Sequence, residues 1–195
     1  MQVYKVKREY FLELMPQGAI TAEMGVGRGN FSELICKLTK PKKHYCVDVF
    51  AVLDKTIQGK YFTSQLEWDK RYKAVQEKLS RYNVEFLRTL TYNICNHVKP
   101  GTLDWVYVDG DHSYEGCQKD LQAVNDCVKQ DGFILGHDYV DHDKYSSWGV
   151  VNAVNEFVEE NNYYLTAVTT EQFPSYLISK SKENHNRIQH RLENR

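Results

Sequence analysis

The chain has few cysteines, and no two of them stand close together in the sequence. Its 195 residues include five cysteines, at positions 36, 46, 95, 117 and 127, and no C-x-x-C motif. This spacing excludes a dense disulfide framework and gives no zinc-binding pattern. Four of the five stand in apolar-patterned segments, so we expect buried thiols in a protein of a reducing compartment.

The chain also lacks a long apolar segment and an excess of charge of either sign. No apolar stretch is long enough to span a bilayer, and residues 1–9 lack the apolar core of a signal peptide. The 25 lysines and arginines nearly balance the 26 aspartates and glutamates, which gives a formal net charge of −1. A general attraction to nucleic acid or to an anionic membrane is therefore not expected. We predict a cytoplasmic protein that binds neither nucleic acid nor membrane.

No internal repeat or low-complexity linker divides the chain, and its length suits one domain. Short apolar runs alternate with segments of helical periodicity, which is the pattern of an α/β sheet with crossover helices. Strands are predicted at 19–22, 44–50, 84–90, 103–109 and 133–135, followed by a hairpin of 165–168 and 176–178. Helices are predicted after the first strand, over 64–81, along 117–128 and, with Ser147 as cap, over 150–157. The residues from 181 are polar and charged, which predicts a solvated helix or a frayed tail.

A glycine-rich turn follows the first predicted strand. Gly25, Gly27 and Gly29 stand in the spacing G-x-G-x-G, ahead of an amphipathic segment that begins at Asn30. Glycines let a ligand approach the backbone closely, and the N-terminus of the following helix adds a positive dipole end. Asn30 is predicted to cap this helix, with Glu33 reaching back to it. The spacing is one residue shorter than the dinucleotide fingerprint G-x-G-x-x-G, which disfavours a nicotinamide cofactor.

Acids and histidines follow the ends of three other predicted strands. Ligands of an open parallel sheet bind beyond the carboxyl ends of its strands, so these residues are candidates for a site. Asp48 ends the second strand, where an acid can bind ribose hydroxyls; the alternative is a solvent-facing loop aspartate. The fourth strand is followed by Asp109-Gly-Asp111-His112, and the fifth by Gly136-His137-Asp138.

Two adjacent acidic strand ends bring like charges together. This is unfavourable unless a cation, a shared proton or the substrate compensates the charges. Carboxylate oxygens suit Mg²⁺ or Ca²⁺, and an incomplete ligand set leaves room for water and substrate. The alternative is a pair of acidic turns in which Asp111 or Ser113 caps the helix from Tyr114.

Taken together, these segments resemble the class I S-adenosylmethionine-dependent methyltransferases. The resemblance is carried by the glycine turn preceded by Glu23, by Asp48, by Val108-Asp-Gly-Asp-His-Ser-Tyr-Glu115 and by Gly132-x3-Gly136-His-Asp-Tyr139. The string at 108–115 is specific for the methyltransferase 24 branch, which is related to catechol, sugar and antibiotic O-methyltransferases. The glycine turn is common to the superfamily.

The resemblance covers roughly residues 18–180 and implies a fold and a domain organisation. The fold would be a Rossmann-like, three-layer α/β sandwich. Its sheet would have seven strands, mostly parallel, with the last one antiparallel. The methyltransferase domain would span residues 1–180, and residues 181–195 would form a polar C-terminal tail.

The resemblance also implies a cofactor, S-adenosylmethionine, and residues that bind it. The glycine turn would pass under the methionine part of the cofactor, and Glu23 would help to hold its amino group. Asp48 would bind the ribose, Leu90 would cover the adenine ring, and Asp109 would complete the cofactor site.

A metal site and a catalytic base follow from the same resemblance. In metal-dependent relatives, the acids that end strands four and five hold Mg²⁺. Asp109 and Asp138 occupy those places here, and His137 stands where some relatives have a further acid. Asp111 stands where a related sugar O-methyltransferase places its base, and His112 and His137 are the alternatives.

The chain departs from its relatives in two places. A Gly-Asp pair often follows strand three near the adenine, whereas this chain has Thr89-Leu90. Relatives with an N-terminal helical lid begin well before strand one, but only about eighteen residues precede it here. The acceptor pocket is therefore expected to be open, or to be completed by residues 50–64 or by the second subunit of a homodimer.

We therefore expect O-methylation of a small polar acceptor such as a sugar, with Asp111 or a nearby histidine as base and with assistance from Mg²⁺. Two other functions stay open: a non-catalytic partner protein that binds S-adenosylmethionine, and a nicotinamide-dependent oxidoreductase. A nucleic-acid methyltransferase is disfavoured, because the Asn/Asp-Pro-Pro-Tyr loop that receives flipped-out bases is absent after strand four.

Overall fold

The computed structural model describes residues 2–52, 64–140 and 148–195. The eight strands within these residues are β1 (Val3–Tyr4), β2 (Ile20–Met24), β3 (Lys43–Val47), β4 (Val84–Leu87), β5 (Leu103–Val108), β6 (Val128–Gly136), β7 (Tyr164–Thr169) and β8 (Tyr176–Ser179). The α-helices are α1 (Arg8–Leu14), α2 (Asn30–Thr39), α3 (Gln65–Leu79), α4 (Tyr114–Cys127), α5 (Val150–Glu160) and α6 (Lys182–Glu193). A 3₁₀ helix spans Thr91–Asn96.

The strands form one sheet in the order β1-β7-β8-β6-β5-β2-β3-β4. Neighbouring strands are parallel except for the pairs that β8 makes with β6 and β7. The expected Rossmann-like class, with an antiparallel last strand, is confirmed. The sheet has one strand more than the seven expected, because Val3 and Tyr4 pair with the edge of β7. Two residues are too few to give a periodic signal in the sequence.

The topology determines where a ligand can bind. The chain adds β3 and β4 on one side of β2 and then crosses to place β5 on the other side. The crevice beyond the carboxyl ends of β2 and β5 is therefore the topological switch point, where open α/β sheets bind their ligands.

Central strand β5 is buried on both faces. Trp105 and Tyr107 pack in a cluster with α1, α2 and α6, whereas Val106 and Val108 pack in a second cluster with α4 and α5. Burial on both faces explains why residues 103–108 are almost continuously apolar rather than alternating. The helices thus cover the sheet on both sides and leave the strand ends free for a site.

The residues after Ser181 form a helix, which is one of the two predicted alternatives, but one face of this helix is packed rather than solvated. The Ser181 hydroxyl accepts a hydrogen bond from the backbone N–H of Asn184 and caps α6. Ile188 and Leu192 are buried in the same cluster as α1, and Arg191 donates to a backbone carbonyl at the end of α1. Two apolar residues at i and i+4 spacing are enough to bind one face of a helix that is otherwise polar.

The cysteines are free, and the four in apolar segments are buried, as predicted. Cys95 is exposed, and its Sγ lies 2.9 Å from Sγ of Cys127. This proximity is invisible in the sequence, because the two residues are 32 positions apart.

Some predictions concern residues that the structure does not describe. Ser147, the predicted cap of α5, lies outside the described residues, as does most of the predicted pocket segment 50–64.

Among residues 2–52, 64–140 and 148–195, no helix combines the length and the apolar character needed to cross a membrane.

Candidate active site

The glycine turn, residues 25–29, joins β2 to α2 at the switch point and is hereafter called the glycine loop. Gly25, Gly27 and Gly29 have φ of +88°, +55° and +68°, in the left-handed region that favours glycine. A Cβ on Gly25 would lie 1.8 Å from the backbone oxygen of Asp109. Gly25 is therefore required for the end of β2 to pack against the end of β5.

The predicted cap of α2 is wrong. Gly29 occupies the N-cap position, and no side chain caps this end within the described structure. Asn30 instead accepts a hydrogen bond from the Lys78 ammonium, and the Glu33 carboxylate pairs with Arg81 at 2.8 Å. The first N–H groups of α2 are consequently left without a side-chain partner beside the glycine loop.

Asp48 follows β3 directly and holds the glycine loop in place. Its Oδ2 accepts hydrogen bonds from the backbone N–H groups of Val26 and Gly27, both at 3.0 Å. Its Oδ1 accepts one from the N–H of Phe50 at 2.9 Å. Asp48 also lines the cavity described below, so it is not a solvent-facing loop residue, and its ribose-binding role stays a prediction.

Glu23 lies on β2 just before the glycine loop and is only 1% exposed. Desolvation raises the pKa of Glu23 well above its usual value, while the hydrogen bond that Ser32 donates and the positive charge of Arg8 oppose this effect. The carboxyl group lines the cavity. A positively charged amino group beside it would favour the ionised carboxylate and bind to it as counter-ion.

Four side chains meet beyond the ends of β5 and β6, and we call them the acid–histidine cluster. Nε2 of His112 lies 3.4 Å from Oδ1 of Asp109 and 3.0 Å from Oδ2 of Asp138. Nδ1 of His137 lies 3.3 Å from Oδ2 of Asp138 and 3.8 Å from Oδ2 of Asp109. The structure thus brings together the residues predicted for a metal, together with the candidate base His112.

The cluster compensates its own charges. Burial disfavours the charged form of His112, but the hydrogen bonds and charges of Asp109 and Asp138 outweigh this and raise the pKa of His112 to about 10. Asp138 is also buried, yet the two imidazoles hold the pKa of its carboxyl group well below the usual range. The His112 imidazole therefore lies between the carboxylates of Asp109 and Asp138, at a position that a cation could also occupy.

Asp111, the other candidate base, lies apart from the cluster. Its Oδ1 accepts a hydrogen bond from the backbone N–H of Ser113 at 2.9 Å, in a local turn. Ser113 caps α4 by accepting from the N–H of Gly116 at 3.1 Å, so of the two residues proposed as cap, Ser113 is the one that takes this place. Asp111 is exposed and lines the cavity, where it can reach a bound molecule.

One cavity of about 680 Å³ connects the glycine loop with the acids after β5. Its wall includes most of the residues predicted from the sequence, namely Glu23, Gly25, Gly27, Asp48, Leu90, Asp109, Asp111 and His112. Gly29 faces Val75 of α3 instead. His137 and Asp138 are not part of the described wall and contact it through Asp109 and His112.

Several cavity residues are absent from the sequence-based prediction. Arg8 of α1 reaches the cavity from before β2, and Phe31 and Asp120 reach it from α2 and α4. Asp120 is 1% exposed, and burial raises its pKa to about 7. Outside this cavity, the Trp148 ring packs against His112 at 4.9 Å. The helical periodicity of Phe31 and Asp120 gives no sign that they face a ligand.

Comparisons with known proteins agree with this architecture. A family model described as a methyltransferase domain, of the methyltransferase 24 type, matches residues 22–139, which is more than half of the chain. No curated protein matches the chain.

Solved structures share the fold at low sequence identity. A SAM-dependent methyltransferase from Aquifex aeolicus is 17% identical, with a TM-score of 0.61 and 88% of each chain covered. A Streptococcus mutans protein in complex with SAH is 16% identical, with a TM-score of 0.62, 89% of this chain and 98% of that chain covered. A rRNA methylase from Streptococcus thermophilus is 15% identical, with a TM-score of 0.60, 91% of this chain and 99% of that chain covered.

Proposed function

Because this chain belongs to the methyltransferase domain family, among the class I S-adenosylmethionine-dependent methyltransferases, we propose that it methylates an oxygen atom of a small polar acceptor such as a sugar. The observation that carries the proposal is the single cavity lined by both the glycine loop and the acids after β5. Donor and acceptor would share this space, the donor over the glycine loop and the acceptor beside Asp109 and Asp111.

The residues around the cavity would act mainly by positioning. When bound, S-adenosylmethionine supplies an electrophilic methyl group on its sulfonium. The glycine loop and Glu23 would hold the methionine part, Asp48 the ribose and Leu90 the adenine. Holding two reactants in line can lower a barrier by about 7–11 kcal/mol, and the rigid contact of Gly25 with Asp109 favours such precision.

Asp111 is the base that the geometry favours. The acceptor oxygen would form a bond to the methyl carbon as the carbon–sulfur bond breaks, its electron pair staying on sulfur, and Asp111 would take the hydroxyl proton. Asp111 has an exposed carboxylate on the cavity wall, whereas Nε2 of His112 is engaged by two carboxylates. A base of this kind contributes about 10²–10⁴-fold to a rate.

The acid–histidine cluster could also hold a divalent cation. One ligand atom each from Asp109, His137 and Asp138 lie within 4.8 Å of one another, which suits a cation with ligand distances of about 2.0–2.6 Å. An imidazole ligand favours Fe²⁺ or Zn²⁺ over Mg²⁺. Bound there, the cation would lower the pKa of an acceptor hydroxyl. His112 would have to leave its place between the carboxylates, so Mg²⁺ stays a prediction.

The acceptor could instead be a nucleic acid. The similarity to a rRNA methylase rests on 15% identity and therefore concerns the fold, but it leaves the predicted absence of a nucleic-acid partner unconfirmed. The near-zero net charge favours a small acceptor.

The cytoplasmic location and the homodimer also remain predictions, and the mass of the protein in solution tests the latter.

The decisive experiment measures transfer of a labelled methyl group from S-adenosylmethionine. The protein is incubated with a panel of sugars and other small hydroxylated molecules, and separately with RNA. We expect label on a small acceptor and its loss in D111N, with D126N, an exposed acid of α4, as matched control. Label on RNA would contradict the acceptor class but not methyl transfer.

Two further outcomes test other parts of the proposal. Tight binding of S-adenosylhomocysteine without any labelled product would favour a non-catalytic binding protein. Binding of NAD in its place, measured by calorimetry, would favour an oxidoreductase. If removal of divalent cations by a chelator leaves the rate unchanged, the metal part of the proposal is wrong.

A further inference from the structure

Arg8 is the residue of the N-terminal segment that reaches the cavity. It begins α1 and precedes the 22–139 segment that the family model matches. Its backbone N–H donates to the Glu171 carboxylate at 2.8 Å, which ties the start of α1 to the loop after β7. Its side chain lines the same cavity as Glu23 and the glycine loop.

The Arg8 guanidinium is held in place by an aromatic ring. It lies 4.4 Å above the centroid of Phe31, and the Phe31 ring packs on Tyr107 at 4.3 Å. Among the described residues, no carboxylate lies within ion-pair distance of it. The Tyr107 hydroxyl also contacts the guanidinium, and the charges of Asp109 and Glu9 act on it from beyond ion-pair distance. A half-buried guanidinium on a cavity wall, positioned by two aromatic residues and without an acid in direct contact, is suited to bind an anionic group of a ligand.

The carboxyl group of Glu23 lines the same cavity as Arg8. Glu23 is buried, and the charge of Arg8 is near enough to influence the pKa of Glu23. Arg8 lies over the Phe31 ring, and Glu23 accepts a hydrogen bond from Ser32, the next residue of α2, so both residues contact the start of α2. A cation and an acid side by side match a zwitterion, which carries an ammonium and a carboxylate on one carbon atom.

We infer that Arg8 binds the α-carboxylate of the methionine part of S-adenosylmethionine, opposite Glu23 at its amino group. The inference rests on the orientation of the cofactor in the proposed function. It makes α1 part of the cofactor site. Arg8 would act as a positioning residue, because it would fix the end of the donor that lies away from the adenine.

The test compares two ligands by calorimetry: S-adenosylhomocysteine and the analogue in which hydrogen replaces its α-carboxylate. We expect Arg8→Leu to weaken S-adenosylhomocysteine about 10- to 100-fold, the effect of one charge-assisted interaction. The wild type should bind the analogue about as weakly as Arg8→Leu binds S-adenosylhomocysteine. Arg8→Leu should change the affinity for the analogue by less than about threefold. Arg8→Lys should be intermediate, because lysine keeps the charge but loses the bidentate geometry.

Arg187 offers a matched control, because its guanidinium also lies over a phenylalanine ring, that of Phe133, but it is exposed on α6 and is not part of the described cavity wall. Arg187→Leu removes the same charge and should change both affinities by less than about threefold. The inference is wrong if Arg8→Leu weakens both ligands equally, or if it leaves S-adenosylhomocysteine unaffected. If Arg8→Leu does not fold, the wild type alone provides the test, and equal affinity of the wild type for both ligands would contradict the inference. A wild type that binds neither ligand would instead contradict the proposed function.

Discussion

The two ends of the cavity are built from different parts of the chain. At the glycine loop the contacts belong to the backbone: Gly25 packs on the Asp109 carbonyl, and Asp48 accepts from the loop N–H groups. At the acid–histidine cluster they belong to ionisable side chains, with His112 between Asp109 and Asp138. Substitutions at the first end should therefore change folding and donor binding together, whereas those at the second should change mainly the chemistry.

Gly25→Ala should have the largest effect. Its Cβ would lie 1.8 Å from the Asp109 oxygen, and its φ of +88° is strained for alanine. We expect loss of S-adenosylhomocysteine binding by at least about 100-fold, because the ends of β2 and β5 must move apart. We also expect a decrease in unfolding free energy beyond the about 1–2 kcal/mol of left-handed strain alone. Calorimetry and urea unfolding measure the two effects.

Gly18 provides the control for Gly25. It has φ of +66°, and no atom lies within 4 Å of a Cβ built on it. Gly18→Ala should cost about 1–2 kcal/mol and leave ligand binding intact. If both alanine variants behave alike, the close approach of the two strand ends is not what shapes the donor site.

Asp138→Asn tests the other end of the cavity. Asparagine tolerates the left-handed φ of 57° at this position, so the backbone is not strained. With an acceptor identified by the labelling experiment, we expect turnover to fall about 10–100-fold, because Asp138 holds His112 and His137 beside the cavity. The affinity for S-adenosylhomocysteine should change by less than about threefold, because the donor contacts other residues. Asp131→Asn, at an exposed position on the same strand, is the control. If D138N lost donor binding and turnover equally, the acid–histidine cluster would not be separate from the donor site.

Asp48→Asn should have a smaller effect, and it acts on the glycine loop. Asparagine has one oxygen where Asp48 uses two to accept from Val26, Gly27 and Phe50. We expect the unfolding free energy to fall by about 1.5–3 kcal/mol, the usual contribution of a hydrogen bond to a charged group. If Asp48 also binds ribose, the variant should weaken S-adenosylhomocysteine more than an analogue without ribose hydroxyls. Equal weakening would assign it a structural role alone.

The parts of the site that follow from strand order could be predicted from the sequence. Asp109 and Asp138 end neighbouring parallel strands, and the pairing of β5 with β6 brings them together. Gly25 was identifiable because a left-handed turn between strand and helix requires glycine. In both cases a local pattern and one topological rule determine the position.

The parts that depend on packing between distant elements could not be predicted. Arg8 reaches the cavity because Phe11 and Leu12 bury one face of α1 against the sheet, and no local pattern specifies that orientation. Asn30 matches a capping motif, yet Lys78 from α3, 48 positions away, takes its oxygen. Such competition between local and distant partners is decided only by the complete fold.

The smallest predicted effect concerns the protonation of a buried histidine, which lies on the strand beside β2 and outside the acid–histidine cluster. His44 of β3 is fully buried; its Nδ1 bonds to the Thr21 hydroxyl at 2.8 Å, and its Nε2 has no partner among the described residues. Desolvation lowers the pKa of His44 to about 3. The folded protein therefore keeps this imidazole neutral, while the unfolded chain takes up a proton below about pH 6.5. The stability that depends on neutral His44 is complete above that pH and decreases as the pH falls towards 3.

His44→Gln should remove this part of the acid sensitivity. Between pH 6.5 and 5.5, the wild type should lose about 1 kcal/mol of unfolding free energy relative to the variant. Asp120 is buried with a raised pKa, and its contribution has the opposite sign over the same range. The measurement is therefore the difference between wild type and variant in urea unfolding at each pH, in which the Asp120 contribution cancels. His97→Gln, at an exposed histidine, is the control for the loss of an imidazole as such. If the difference in unfolding free energy between the wild type and His44→Gln does not change with pH, His44 takes up its proton in the folded protein. Burial in the sheet would then not keep the His44 imidazole neutral, and His44 would be protonated as His112 is in the acid–histidine cluster.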